Sequence, residues 1–179
     1  MLPDMIFFTG VPGSRWSGIA QELKQNPKYN KTDRRPDRNY SHNEYSGHID
    51  AYFGTGMEFN CSLNQANLNR PFSDWRKSAG CKLLMSHEWP YHFDQIIRQY
   101  PNAWIQLIYR NDLKSFLWWK EAGGFNITYP SYDWYVDDET MMRKIEEINN
   151  LILSFAQKHK LSWIQHHNHN DIFITTYKP

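Results

Sequence analysis

Residues 5–20, MIFFTGVPGSRWSGIA, are the stretch from which the rest of the chain is read. Ile6, Phe7 and Phe8 form a short apolar run of the kind that fills a strand buried on both faces. Gly10, Val11, Pro12, Gly13 and Ser14 follow as a turn. Residues 15–25 read as a helix that ends before Pro27. A strand, a Gly-containing turn and a helix in that order build an anion site. The backbone N–H groups of the turn and of the helix start converge on one point, where the helix dipole favours negative charge. A phosphate or a sulfate is the expected occupant; an ordinary strand-to-helix turn is the alternative.

Working outward, the chain alternates strand and helix. Residues 29–60 are polar, with Lys31, Arg34, Arg35, Asp37 and Arg38 close together, and read as a long loop. Residues 62–70 and 72–79 read as short helical pieces ended by Gly80. Residues 81–86 are a second apolar strand, and His87, Glu88, Trp89 and Pro90 make a turn. Residues 91–99 form an amphipathic helix stopped by Pro101, and residues 103–109 a third strand. Asn111 or Asp112 caps a helix over 113–122 that Gly123 and Gly124 end. An aromatic loop over 125–135 covers a ligand site or packs on the core. Asp137 or Asp138 caps a long helix over 139–159, with Met142, Ile145, Ile148, Leu151, Ile152 and Phe155 at helical spacing. Residues 162–165 read as a fourth strand, 166–170 as a turn, and 172–177 as a last strand or an extended tail. The expectation is one α/β domain over residues 1–179, with a mainly parallel sheet flanked by helices. Ligands of such sheets bind beyond the carboxyl ends of the strands. The loop from Gly10 to Ser17, the Ser86-His87 pair and Arg110 all fall on that edge.

Composition bounds the partners. A chain of 179 residues buries about 70% of its unfolded surface and needs no staples. Twenty basic and 19 acidic residues leave a net charge of +1, so no global field points to nucleic acid or to a membrane surface. The two cysteines, Cys61 and Cys81, suggest a reducing compartment. No signal pattern and no membrane-length apolar run stands in the sequence, so the expected location is the cytoplasm. Aromatic residues make up 16% of the chain while mean hydropathy is −0.76. That combination predicts a small core built from large rings.

Two families share the loop architecture. The Walker A pattern G-x-x-x-x-G-K-[ST] is met at Gly10 and Ser17, but Arg15 stands for its second Gly and Trp16 for its Lys. The phosphosulfate loop of tyrosylprotein sulfotransferases, G-V-P-R-S-G-T-T, is met at Gly10, Val11, Pro12, Ser14 and Ser17, with Gly13, Arg15 and Trp16 departing from it. Residues 82–112 then resemble the middle of a sulfotransferase. Ser86-His87 stands for a strand-ending Thr-His pair with Pro90 behind it, Pro101-Asn102-Ala103 for the next turn, and Leu107-Ile108-Tyr109-Arg110-Asn111 for the third strand and its Arg. The resemblance covers under half of the chain, and the C-terminal Gly-rich donor segment of the cytosolic enzymes has no counterpart.

The resemblance implies a P-loop-like sulfotransferase fold and a donor, 3′-phosphoadenosine 5′-phosphosulfate (PAPS), whose sulfuryl group passes to an acceptor hydroxyl or amine. It implies that Gly10, Pro12, Gly13, Ser14, Arg15, Trp16 and Ser17 hold the phosphosulfate and that Arg110 binds the 3′-phosphate. The family's later Ser falls at Trp118, and Ser115 is the nearest hydroxyl. His87 is the implied general base. The loop cation falls on Gly13, so Arg15 is the residue expected to meet the charge that grows on the leaving oxygen. A nucleotide phosphotransferase and a nucleotide-binding module without turnover are the rival readings. No metal is expected. His166, His167, His169 and Asp171 are metal-ligand types, but their spacing matches no defined zinc pattern and a further independent ligand pair is missing. They read as a polar turn.

Overall fold

The computed structural model describes residues 2–29, 80–127 and 132–179. The long polar loop beyond Tyr29, the helical pieces before Gly80 and residues 128–131 of the aromatic loop lie outside the described residues.

The parallel half of the sheet forms first in chain order. Strand β1 (Met5–Thr9) leads through the Gly/Pro loop into helix α1 (Trp16–Gln25). Strand β2 (Lys82–Met85) pairs parallel to one side of β1, and strand β3 (Trp104–Arg110) parallel to the other. Ile6 stands opposite Leu83 on one side and Trp104 on the other. Ile6, Phe7, Phe8 and Thr9 are all buried, which is why β1 reads as an unbroken apolar run and not as an alternating one. A 3₁₀ turn (Trp89–His92) and helix α2 (Phe93–Gln99) join β2 to β3. Trp89 closes that turn from within: it is buried, and its indole N–H donates to the Leu84 carbonyl at 2.6 Å.

Helix α3 (Asp112–Glu121) follows β3 at once. Asn111 caps it, its side-chain oxygen accepting from the Lys114 amide at 3.3 Å. Gly123, at φ 132°, takes the chain out of the helix in a conformation that favours glycine. Asp137 caps helix α4 (Asp138–Lys158) by accepting from the Thr140 amide at 2.7 Å. The buried stripe of α4 is Met141, Ile145, Ile148, Asn149, Ile152, Phe155 and Ala156. Met142 and Leu151, expected in it, are only half-buried.

The sheet departs from the expected one in its second half. Strands β4 (Ile164–His166) and β5 (His169–Tyr177) are joined by two residues. A link that short cannot make the crossover a parallel pair needs, so the two form an antiparallel hairpin. The last strand is therefore paired and is not a tail; β5 lies antiparallel against β3, with Arg110 opposite Ile172. The order among the described residues is β2-β1-β3-β5-β4, a mixed α/β sheet in which two of the four pairings are parallel. No described helix is long and apolar enough to cross a membrane. Burial pushes the Cys81 thiol up to about 12, so it stays protonated in the core.

The α4 stripe gives a direct test. Ile148 is fully buried, and Ile148→Ala is expected to cost about 2–5 kcal/mol in urea unfolding. Met142→Ala, on the same helix but half-buried, is expected to cost about 1 kcal/mol or less. Equal losses would contradict the helix phase described here.

Candidate functional site

The loop after β1 is held by its own atoms. The Ser14 amide and hydroxyl both donate to the Val11 carbonyl, at 3.1 and 2.7 Å, and Gly10, Val11, Pro12 and Ser14 are buried. Gly13 sits at φ 76° against the backbone of α3. A Cβ added there would lie 1.8 Å from the Ser115 carbonyl oxygen and 2.9 Å from the Trp119 amide nitrogen. Both the backbone angle and the close approach demand glycine. The position that carries Lys or Arg in the resembling loops cannot carry a side chain in this packing.

Arg15 follows at φ 61° as the N-cap of α1. No side chain caps the helix start, and its first turn holds no acidic residue. The guanidinium lies over the Trp118 ring, 4.3 Å from the centroid. Burial, and next the neighbouring Arg110 charge, pull the Arg15 pKa below its ordinary value against the pull of Asp171, Glu22 and Glu121. Trp16 and Ser17 open the helix and are both buried. The Trp16 ring stacks on Phe8 at 6.2 Å and leans over His87 at 4.2 Å, so it is a core ring.

His87 lies beyond β2, on the expected edge. Its Nδ1 must carry a proton, because it donates to the Gly10 carbonyl oxygen. The ring is fully buried, with Trp16 against it. The residue expected as the general base thus turns its Nδ1 toward the first carbonyl of the loop. Glu88, the next residue, accepts from the Trp134 indole N–H at 3.3 Å. Trp134 and Tyr135 of the aromatic loop pack on the core while Phe125 is exposed; Tyr135 lies edge-on to Trp119 and Phe125, and its hydroxyl donates to the Gly124 carbonyl at 2.7 Å.

Arg110 ends β3 and takes a role that the sequence does not show. Its Nε and Nη2 both reach Asp171 Oδ2 at 2.9 Å, and its Nη1 donates to the Gly13 carbonyl at 3.0 Å. Three of its five N–H donors are committed inside the protein. The expected 3′-phosphate ligand is thereby the brace of the loop. The Arg110 carbonyl accepts from Asn149 Nδ2 at 2.9 Å and from the Ser115 hydroxyl at 3.3 Å. Ser115 therefore serves the strand end with its hydroxyl and meets the loop with its backbone. Asp171, read from its type as part of a polar turn, is the counter-ion, and Lys114 Nζ stands 3.9 Å from it. Only the β3–β5 register brings Arg110 and Asp171 together. Trp118, where the resembling family places a Ser, supplies a ring beneath Arg15 and 5.9 Å from Arg110.

The structure thus gathers Gly10, Pro12, Gly13, Ser14, Arg15, Trp16, Ser17, His87, Arg110 and Ser115 around one loop. Comparisons with family models, with curated proteins and with solved structures find no match.

Two outcomes follow from the brace. Gly13→Ala is expected to lose about 1–2 kcal/mol from the left-handed backbone alone, and more from the contact with Ser115, measured by urea unfolding. A neutral outcome would mean that the loop does not pack on α3 as described. Burial raises the Asp171 carboxyl, but Arg110 more than offsets this and holds it below its ordinary value. A depressed carboxylate stabilises the fold above its unfolded pKa of about 3.9 and loses that contribution as pH falls through the folded value. Asp171→Asn is expected to lose on the order of 1 kcal/mol near pH 7, with the gap to wild type closing below about pH 4. A gap independent of pH would mean that the carboxylate charge does not hold Arg110.

Proposed function

We propose that the chain is a sulfotransferase-type protein. Its β1–α1 loop receives the phosphosulfate of PAPS, and the sulfuryl group passes to an acceptor hydroxyl or amine. The observation that carries this reading is the start of α1. A helix N-terminus without a side-chain cap or an acidic first turn carries Arg15, beside Arg110, at the carboxyl edge of three parallel strands. A cation at the positive end of a helix is electrostatically unfavourable by itself. A bound anion turns the same arrangement into a favourable one. In the transfer, the acceptor oxygen bonds to sulfur as the bond from sulfur to the bridging phosphate oxygen breaks. Arg15 and the loop amides meet the charge left on that oxygen. The acceptor proton goes to Nε2 of His87, which requires Trp16 to move aside.

A second reading, a nucleotide-binding module without turnover, is favoured by the complete burial of His87. A phosphotransferase is disfavoured because the residue at the Walker Lys position, Trp16, is a core ring.

Calorimetry separates these readings. Adenosine 3′,5′-bisphosphate is expected to bind at least tenfold tighter than AMP, a difference of about 1.4 kcal/mol. ATP with magnesium is expected to bind more weakly than the bisphosphate. Equal affinities for bisphosphate and AMP would remove the case for this donor. Under the enzyme reading, Arg15→Ala lowers turnover far more than product affinity, and His87→Asn lowers turnover by about 10²–10⁴-fold with product affinity unchanged. Tight bisphosphate binding with sulfation of no acceptor in a broad screen selects the binding module.

A further inference from the structure

We infer that Glu22, His166 and His167 form a site for a borderline divalent ion of the zinc type, bridging α1 to the β4–β5 hairpin. Read along the chain, the two histidines lack an independent further ligand, and the fold supplies it from a residue far upstream. Glu22 stands in the middle of α1, and its Oε2 lies 3.2 Å from Nε2 of His166. One ligand atom from each of the three residues falls within 4.8 Å of the others. Neighbouring ligands of a tetrahedral zinc ion with bonds of about 2.0–2.1 Å are about 3.3 Å apart. Glu22 and His166 therefore already have the required spacing. The member that must close in, His167, is exposed.

The surroundings suit coordination. His166 is buried, and its ring is stacked at 16° on His169, 5.3 Å away, which fixes its plane. The Asn168 amide donates to His166 Nδ1 at 3.3 Å, so Nε2 carries the proton that faces Glu22. On coordination that proton moves from Nε2 to Nδ1, and the long Asn168 bond is given up. Two imidazoles and a carboxylate suit zinc and its neighbours in the transition series. Three protein ligands leave a fourth position for water or for an exogenous group. A cleft of about 520 Å³, bordered by Glu22, His166 and His167 with Lys28 and Tyr29, gives an ion its path from solvent. This inference does not depend on the donor reading of the loop.

The test is calorimetric titration of the full chain with zinc chloride in a non-chelating buffer, followed by titration with cobalt(II) to read its visible ligand-field bands. One-to-one binding is expected, with a cobalt spectrum of four- or five-coordinate intensity. Glu22→Gln and His167→Ala replace exposed side chains, and far-UV circular dichroism verifies that both variants fold. Each is expected to weaken zinc binding at least tenfold and to change the cobalt bands. His92→Ala, remote in sequence on the 3₁₀ turn, is the control and is expected to leave both unchanged. Absence of saturable zinc binding overturns the inference, and so does binding that survives Glu22→Gln and His167→Ala intact.

Discussion

The guanidinium of Arg110 joins three pieces of chain at one point: the end of β3, the start of β5 through Asp171, and the loop after β1 through the Gly13 carbonyl. Its side chain is 12% exposed and that of Asp171 is 19% exposed, so both charges are largely out of water. Removing one partner of such a pair leaves the other desolvated and unmatched, which costs more than the pair contributes in net stability. The arrangement therefore specifies one geometry more strongly than it stabilises it. Planar, forked donors suit this use: two N–H groups face one carboxylate while a third reaches a carbonyl in another direction. The same residue's carbonyl is held by Asn149 of α4 and by Ser115 of α3. The strand end is thereby tied to both helices that follow it.

Once the brace is in place, the loop has little freedom. Gly13 is pressed on the backbone of α3, the Ser14 hydroxyl is turned back on Val11, and Trp16 fills the core beside Phe8. The side chains of the loop are thus mostly structural, with Arg15 the exception. Where Gly13 meets the Ser115 carbonyl there is no volume for a lysine, and the cation of the loop, Arg15, faces Trp118.

The apolar runs of β1, β2 and β3 were legible because a strand covered on both faces admits little else than apolar side chains. The caps were legible to within one residue, as Asn111 or Asp112 and Asp137 or Asp138, and the amide three residues on selects Asn111 and Asp137. The phase of α4 was not fully legible. Neighbouring residues on a helix differ by about 100° in direction, so Met141 and Met142 compete for one side, and only the packing partner decides between them. The direction of β5 and the roles of Asp171, Trp118 and Glu22 are non-local. Each depends on register or on helix placement, and nothing beside these residues in the sequence records it. His87 falls between the two cases. Its place after β2 was legible, whereas its burial beneath Trp16 is set by a ring on another element.

Arg15 is where the local rules are broken together. It holds a left-handed backbone without being glycine or asparagine, at a cost of about 1–3 kcal/mol. It places a cation at the positive end of α1, where an acceptor or an acid is the stabilising choice. It does so beside a second guanidinium, and burial first and that neighbouring charge next lower the Arg15 pKa. Stacking on Trp118 returns part of this energy, about 0.5–1 kcal/mol at a partly exposed site. The strained backbone and the uncapped helix start remain, while Asp171, Glu22 and Glu121 act against the positive charge around Arg15. Strained, electrostatically mismatched residues persist where a ligand or a reaction restores the balance. Gly13, Arg15 and Trp16 thus act together: a glycine makes room for α3, a tryptophan seals the core, and the residue between them carries the charge.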